Sequence, residues 1–169
     1  MFAVVVTGPP GSGKTVTLTA LSDALVKDRV AHAAVDVDEI AWAYPYPDLA
    51  QRCEHLRVWC AAHRRAGYET LLVAEVIEST AHLDDVLAAL GAHDHLLVRL
   101  DASLETLRQR IIAREPPAWV GLDHLLDETS KLQAALITLD GVHTVVDSED
   151  LNLTQIVDQI RSARPDMLS

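Results

Sequence analysis

The chain has 169 residues, a length that suits one domain around a single hydrophobic core. Its 14 basic and 25 acidic residues give a net charge of −11 at pH 7; such a surface repels nucleic acid and anionic membranes, so we expect neither as a partner. The sequence shows no apolar run long enough for a membrane span and no signal peptide, which favours a cytoplasmic location and leaves the oligomeric state open.

Short β-branched runs alternate along the chain with longer amphipathic segments. The runs are nearly continuous in apolar character, which is typical of parallel strands covered on both faces. Strands are predicted over 2–6, 31–37, 69–75, 95–101 and 143–147. Helices are predicted over 14–27, 49–66, 80–90, 103–114, 121–138 and 153–163. This alternation implies right-handed crossovers and a three-layer α/β domain that occupies residues 1–169 as one unit.

A glycine-rich segment joins the first predicted strand to the first predicted helix. The residues that match the pattern GxxxxGK followed by Ser or Thr are Gly8, Pro9, Pro10, Gly11, Ser12, Gly13, Lys14 and Thr15. Between a buried strand and a helix N-terminus, the backbone N–H groups of such a loop point at phosphate oxygens. Lys14 is expected to reach the β- and γ-phosphates, and the Thr15 hydroxyl to ligate Mg²⁺. The segment therefore predicts a nucleoside triphosphate site.

Two aspartates follow the second predicted strand. Asp36 and Asp38 lie at its carboxyl end, the edge of a parallel sheet where ligands bind. One carboxylate can approach Mg²⁺ or its water shell while the other accepts a proton from an acceptor hydroxyl, and the sequence does not assign the two roles. The alternative interpretation is that these acids only cap a helix.

An aromatic cluster comes directly after the aspartates. Trp42, Tyr44 and Tyr46 belong to a chain that has only three Trp, three Tyr and one Phe. Such rings can stack on a sugar, a base or a drug-like ring, and tyrosine hydroxyls can orient the ligand. Together with Asp38 they are predicted to bind the acceptor. The alternative is a loop whose rings pack onto the domain.

The third predicted strand ends at Glu75, at the position where P-loop proteins usually carry an acid that helps to hold Mg²⁺. We therefore include Glu75 with Thr15 and Asp36 as a predicted metal ligand. The usual residue at this position is Asp, and an acid that merely ends the strand is the alternative interpretation.

Two arginines on one helix face precede a proline-rich loop. Arg110 and Arg114 are four residues apart, and the helix must end at the Pro116–Pro117 pair. Arginines on a mobile segment can clamp a triphosphate and stabilise the transferring phosphoryl group. The loop over about 115–121 is predicted to be a short lid. The alternative is a solvated helix face whose arginines pair with nearby acids.

These motifs together resemble the small P-loop kinases, a group that includes nucleoside monophosphate kinases, shikimate and gluconate kinases, adenylylsulfate kinase and antibiotic phosphotransferases. The resemblance rests on GPPGSGKT, on the DVD after the second strand, on the arginine pair before a short loop, and on the late VVDSEDL. It implies a five-stranded parallel sheet in order 2-3-1-4-5, ATP as phosphate donor and Mg²⁺ as cofactor. It also implies that Arg110 flanks the adenine base and that Ser148 borders it.

The residues and the resemblance predict an enzyme, an ATP- and Mg²⁺-dependent kinase that phosphorylates a hydroxyl of a small metabolite or natural product. A nucleoside monophosphate kinase is the first alternative; its acceptor would need several arginines, and Arg57 is one of four on the predicted helix over 49–66. A solvated helix face explains those four arginines equally well. A regulatory nucleotide-binding ATPase or switch, without a small-molecule acceptor, is the alternative from another class.

Overall fold

Residues 1–168 are described by a computed structural model, and across them the chain forms a parallel sheet of five strands flanked by helices. The strands are β1 (Phe2–Thr7), β2 (His32–Asp36), β3 (Thr70–Ala74), β4 (Asp94–Asp101) and β5 (Thr144–Asp147). Their order is β2-β3-β1-β4-β5, and every neighbouring pair is parallel. The structure confirms the predicted fold class and sheet order.

Helices cover both faces of the sheet. They are α1 (Lys14–Lys27), α2 (Val37–Ile40), α3 (Leu49–Arg65), α4 (Thr80–Leu90), α5 (Leu104–Arg114), α6 (Leu122–Ile137) and α7 (Leu153–Ala163). The short helix α2 was not predicted, because a single turn is too short to show a periodic pattern. No helix within residues 1–168 has both the length and the apolar character that a bilayer crossing needs.

The central strand β1 builds the core on both of its faces, since successive side chains of a strand point in opposite directions. Val5 belongs to the core cluster that contains Leu56 of α3. Val4 belongs to the cluster on the opposite face, with Leu21 of α1 and Ile160 of α7. Burial on both faces fixes the end of β1, and therefore fixes the start of the glycine-rich loop, which we call the P-loop (residues 8–15).

The P-loop packs closely against α5 at Gly11. The φ angle of Gly11 is +82°, a left-handed conformation that strains any residue with a side chain. A Cβ at this position would lie 2.7 Å from the carbonyl oxygen of Leu107 in α5. Glycine is therefore required both by the backbone conformation and by the approach of α5, the helix that carries Arg110 and Arg114.

We expect Gly11→Ala to lower the free energy of unfolding by about 2 to 5 kcal/mol, because left-handed strain and overpacking add together. Gly141→Ala is the matched control, since Gly141 has a similar φ of +79° but open space where a Cβ would stand. In the control, only the left-handed strain should lower the free energy of unfolding, by about 1 to 2 kcal/mol. Urea denaturation of both variants measures the difference, and equal losses would show that α5 does not restrict the P-loop.

Candidate active site

Lys14 lies across the P-loop, at the start of α1. Its Nζ atom donates hydrogen bonds to the carbonyl oxygens of Gly8, at 2.9 Å, and Pro9, at 3.4 Å. Desolvation by burial lowers the pKa of Lys14 below its ordinary value, and the negative charges of Asp38, Asp36 and Glu75 oppose that shift. A desolvated ammonium in a P-loop is suited to binding a phosphate anion.

The P-loop also contains a hydroxyl without a partner. Ser12 is 1% exposed, and its Oγ atom has no hydrogen-bond partner within residues 1–168. A Cβ added at Gly8 would lie 2.5 Å from this oxygen, so only glycine leaves room for it. A buried hydroxyl without a partner costs about 1 to 3 kcal/mol, so a phosphate oxygen that accepts a hydrogen bond from it would recover that loss.

Thr15 and Asp36 are brought together from the start of α1 and the end of β2. The Thr15 hydroxyl donates to Oδ2 of Asp36 at 2.6 Å. The other oxygen, Oδ1, accepts from the backbone N–H of Asp38 at 3.2 Å and caps α2. Asp36 therefore does cap a helix, as the alternative interpretation held, and at the same time presents an oxygen beside the Thr15 hydroxyl.

Hydroxyl and carboxylate oxygens are ligands that Mg²⁺ accepts, which fits the predicted roles of Thr15 and Asp36. In the described part of the chain, no cluster of three or more His, Cys, Asp or Glu side chains could hold a metal ion by itself. Thr15 and Asp36 by themselves would be enough protein ligands for Mg²⁺, which usually takes one or two and completes its shell with phosphate oxygens and water.

Glu75, which the sequence predicts as a metal ligand, is paired with an arginine in the structure. Its carboxylate accepts from Nη1 of Arg52 at 3.0 Å and from the backbone N–H of Val76 at 3.2 Å. Burial raises the pKa of Glu75 to about 7, while the Arg52 charge works in the opposite direction. Since this carboxylate is already bound by Arg52, its role as a metal ligand stays a prediction.

Tyr46 holds Asp38 in place. The Tyr46 hydroxyl donates to Oδ1 of Asp38 at 2.7 Å, and the Arg52 guanidinium lies 5.7 Å from the centre of the Tyr46 ring. Burial, followed by the hydrogen bond to Asp38, raises the pKa of Tyr46 to about 12. The sequence predicts that Tyr46 binds the acceptor. In the structure its hydroxyl binds the Asp38 carboxylate, and its ring lies next to Arg52, which is paired with Glu75.

Arg110 connects the P-loop to the segment after β5. Its Nη2 atom donates to the carbonyl oxygen of Ser148 at 2.6 Å, and Nη1 donates to Ser148 Oγ at 3.3 Å and Gly11 O at 3.4 Å. Arg114, one turn later, is more exposed and forms a 2.7 Å ion pair with Glu115. Both arginines line the same cavity.

A cavity of about 570 Å³ lies between these groups. Besides P-loop residues, its lining includes Asp36, Asp38, Val76, Arg110, Arg114 and Leu125. An adjoining cavity of about 300 Å³ lies on the other side of Arg110. Its lining includes Ser148, Leu151, Leu153 and Ile156, so it has the apolar walls that a nucleobase requires.

Four of the residues predicted to bind the acceptor do not line the larger cavity; they are Trp42, Tyr44, Tyr46 and Arg57. Trp42 and Tyr44 project from the loop between α2 and α3, with 89% and 100% of their surface exposed. Arg57 is exposed on α3 and forms an ion pair with Glu54. Arg57 follows Arg52 by five residues, which is about 140° around a helix, so the two arginines face different directions.

The segment predicted as a lid joins α5 to α6. Its backbone makes a turn in which the N–H of Trp119 donates to the carbonyl oxygen of Pro116 at 2.9 Å. The indole of Trp119 covers Gly121 and occupies the space that a Cβ at this position would need. Trp119 thus anchors the turn to the start of α6, and movement of this segment stays a prediction.

Comparison with known proteins gives both a family and a fold. The sequence model of a family described as AAA domain matches residues 4–135, whereas a comparison with curated proteins found no match. Among solved structures, the chain is similar to a sugar kinase from Janibacter sp. HTCC2649, with a TM-score of 0.72, 19% identity, and coverage of 100% of this chain and 99% of the other.

Two further solved structures are similar over nearly the whole chain. A gluconokinase from Sinorhizobium meliloti 1021 has a TM-score of 0.64 and 19% identity, covering 98% of this chain and 93% of its own. The APS kinase from Mycobacterium tuberculosis, in complex with AMPPNP and APS, has a TM-score of 0.64 and 19% identity, with 95% of each chain covered. At this level of identity the likeness shows a shared fold.

Proposed function

Since the chain belongs to the AAA domain family of P-loop proteins, we propose that it is an ATP- and Mg²⁺-dependent kinase that phosphorylates a hydroxyl of a small molecule. The observation that carries this proposal is the cavity in which the P-loop, Asp36, Asp38 and two arginines face one space. A nucleotide-binding module without an acceptor would not need Asp38 and its supporting tyrosine. The names of the similar structures, a sugar kinase and a gluconokinase among them, agree with the proposal.

In the proposed complex, ATP lies with its phosphates in the P-loop. Lys14 and the Ser12 hydroxyl contact phosphate oxygens, together with the backbone N–H groups of the loop. The base occupies the smaller cavity beside Ser148, and Arg110 separates the base from the phosphates. Thr15 and Asp36 hold Mg²⁺, which neutralises charge on the phosphates when it is bound. Glu75 is the remaining candidate ligand; its hydrogen bonds to Arg52 and Val76 are both made through Oε1, so Oε2 is the atom that would serve.

Catalysis of phosphoryl transfer then comes from positioning the reactants and from stabilising the charge on the transferring group. The acceptor hydroxyl attacks the γ-phosphorus, the bond from that phosphorus to the bridging oxygen of ADP breaks, and the hydroxyl proton passes to Asp38. Tyr46 binds Oδ1 of Asp38, and Oδ2 is the oxygen proposed to take the proton. Arg110 and Arg114 stabilise the negative charge on the transferring group, so the reaction needs no covalent enzyme intermediate. The segment over 115–121 is proposed to close over this site as a lid.

The proposal is tested by ADP release from Mg·ATP with a mixed panel of acceptors. The panel contains nucleoside monophosphates, sugar acids, shikimate-like polyols and hydroxylated antibiotics, and the Lys14→Ala variant is the control. Strong stimulation by one hydroxyl class, absent in the control, is the expected result. Stimulation by nucleoside monophosphates alone would support the nucleotide kinase instead. Slow release that no acceptor changes would support an ATPase or switch.

Arg110→Ala should lower kcat/KM for ATP about a hundredfold, because charge-assisted hydrogen bonds to the loop after β5 and to the phosphates are lost together. Arg108→Ala is the matched control, since Arg108 lies on the same helix but does not line either cavity. Steady-state kinetics with varied ATP at fixed acceptor measures both variants. A loss of the same size in the control would mean that α5, and not the Arg110 side chain, is what matters.

A further inference from the structure

Asp38, the proposed base, is oriented by a single hydrogen bond. The Tyr46 hydroxyl, 2.7 Å from Oδ1, is the only donor to this carboxylate within residues 1–168. Asp38 is exposed and belongs to α2, which is only four residues long and has few backbone bonds of its own. The direction of the carboxylate therefore depends on where the Tyr46 side chain lies.

The Tyr46 ring lies in the loop between α2 and α3 and is 57% exposed, so packing in the core does not fix it. The Arg52 guanidinium lies 5.7 Å from the centre of the ring, within the range of a cation–π interaction. Arg52 is in the first turn of α3, a helix that begins with a capping box between Asp48 and Gln51. The contact with Arg52 therefore ties the ring to a well-anchored helix.

Arg52 is held in turn by Glu75 at the end of β3. Its Nη1 atom donates to Oε1 of Glu75 at 3.0 Å, and the same oxygen accepts from the backbone N–H of Val76 at 3.2 Å. The Glu75 side chain is 2% exposed and the Arg52 side chain 15% exposed. All five residues of β3 are buried, so Glu75 extends from a fixed part of the sheet.

These contacts do not use every donor of the guanidinium. The bond to Glu75 is made by Nη1 alone, and the buried Nε atom of Arg52 has no hydrogen-bond partner within residues 1–168. A buried donor without a partner lowers the stability of the fold. An arginine that served stability alone would be expected to satisfy this donor. The observed placement instead sets the guanidinium beside the Tyr46 ring, which favours a role at the site.

On the premise of the kinase function, we propose that Arg52 is a positioning residue for phosphoryl transfer, which acts on Asp38 through Tyr46. Glu75 holds the guanidinium, the guanidinium holds the ring, and the ring hydroxyl orients the carboxylate. These contacts connect the base to β3, the strand that pairs with β1 next to the start of the P-loop. The acceptor hydroxyl is thereby held at a defined place relative to the phosphates, on which the rate of transfer depends strongly.

A double-mutant cycle in a Glu75→Gln background tests this chain of contacts. The amide oxygen of Gln can accept the same bonds from Arg52 and Val76, and replacing Arg52 then leaves no buried carboxylate unpaired. Any contribution of the Glu75 charge, at the metal or elsewhere, is equal in all four proteins. The four are the background itself, the background with Tyr46→Phe, with Arg52→Met, and with both changes.

The kcat of each protein is measured at saturating Mg·ATP with the most stimulating acceptor of the panel. Tyr46→Phe and Arg52→Met should each lower kcat about tenfold, with the KM for ATP within about twofold, because a misplaced base does not weaken the nucleotide site. Together they should also lower kcat about tenfold, since Arg52 acts through the Tyr46 hydroxyl. A role in stability alone would lower the Tm without this coupling. Arg65→Met, an exposed position on α3, is the matched control and should keep the kcat of the background.

An unchanged kcat in Arg52→Met would overturn the inference while leaving the kinase function in place. A hundredfold loss in the combined variant would do the same, because it would show two independent effects. Loss of turnover in Glu75→Gln alone would also overturn it, since the oxygen that holds Arg52 is still present there. If the unmutated protein shows no acceptor-dependent ADP release, the kinase function is wrong, and the inference with it.

Discussion

Lys14→Ala is expected to lower kcat by about a thousandfold or more, because it removes the ammonium that is proposed to contact the β- and γ-phosphates. The fold should survive the change. Within residues 1–168, Nζ of Lys14 bonds to the carbonyl oxygens of Gly8 and Pro9, and desolvation lowers its pKa, so the buried charge is costly to the folded state. The measurements are kcat from ADP release at saturating acceptor and the Tm of both proteins.

Lys27→Ala is the matched control for this variant. Lys27 lies at the exposed C-terminal end of the same helix, α1, so its removal tests the loss of a lysine without the loss of a phosphate contact. Wild-type kcat is expected for the control. Wild-type kcat for Lys14→Ala would refute the assignment of the P-loop, and a large fall in its Tm would contradict the view that the Lys14 charge is costly to the fold.

Asp38→Asn is expected to lower kcat by about a hundredfold to ten-thousandfold, because an amide cannot take the proton of the acceptor hydroxyl. The KM for ATP should stay within about twofold, since Asn keeps the shape of Asp and can still accept the hydrogen bond from Tyr46. Initial rates with varied ATP and varied acceptor separate these two effects.

Asp36→Asn makes the complementary comparison. Asp36 is bonded to Thr15, so this variant should chiefly raise the Mg²⁺ concentration needed for half-maximal rate. Glu39→Gln removes a neighbouring exposed carboxylate and should behave as wild type. If Asp36→Asn and Asp38→Asn both keep the kcat of wild type, neither aspartate has the proposed role.

The elements of the fold were predictable because their signals are local. A buried β-branched run, an apolar stripe at helical spacing and a complete P-loop motif are each contained in a short stretch of sequence. The sheet order came from the resemblance to small P-loop kinases, and the pairing of β1 with β3 and β4 confirms it. Helix α2 was not predicted because it is one turn long and begins at the cap made by Asp36.

The arrangement within the site was less predictable, because its contacts join distant parts of the chain. Arg52 meets Glu75 across 23 positions, and Arg110 meets Ser148 across 38. A local pattern can place an arginine on a helix, but the carboxylate it meets depends on how that helix packs on the sheet. For this reason the sequence analysis could not separate Arg52 from the other three arginines of its helix, and it predicted Glu75 only as a metal ligand.

The fate of the γ-phosphoryl group tests the central claim most directly. Mg·ATP and the stimulating acceptor would be incubated with the protein and followed by ³¹P NMR. The proposed kinase predicts a phosphate monoester signal that grows in step with ADP, with little inorganic phosphate and no signal from Lys14→Ala. Inorganic phosphate as the sole product, formed at a rate that the acceptor does not change, would contradict it.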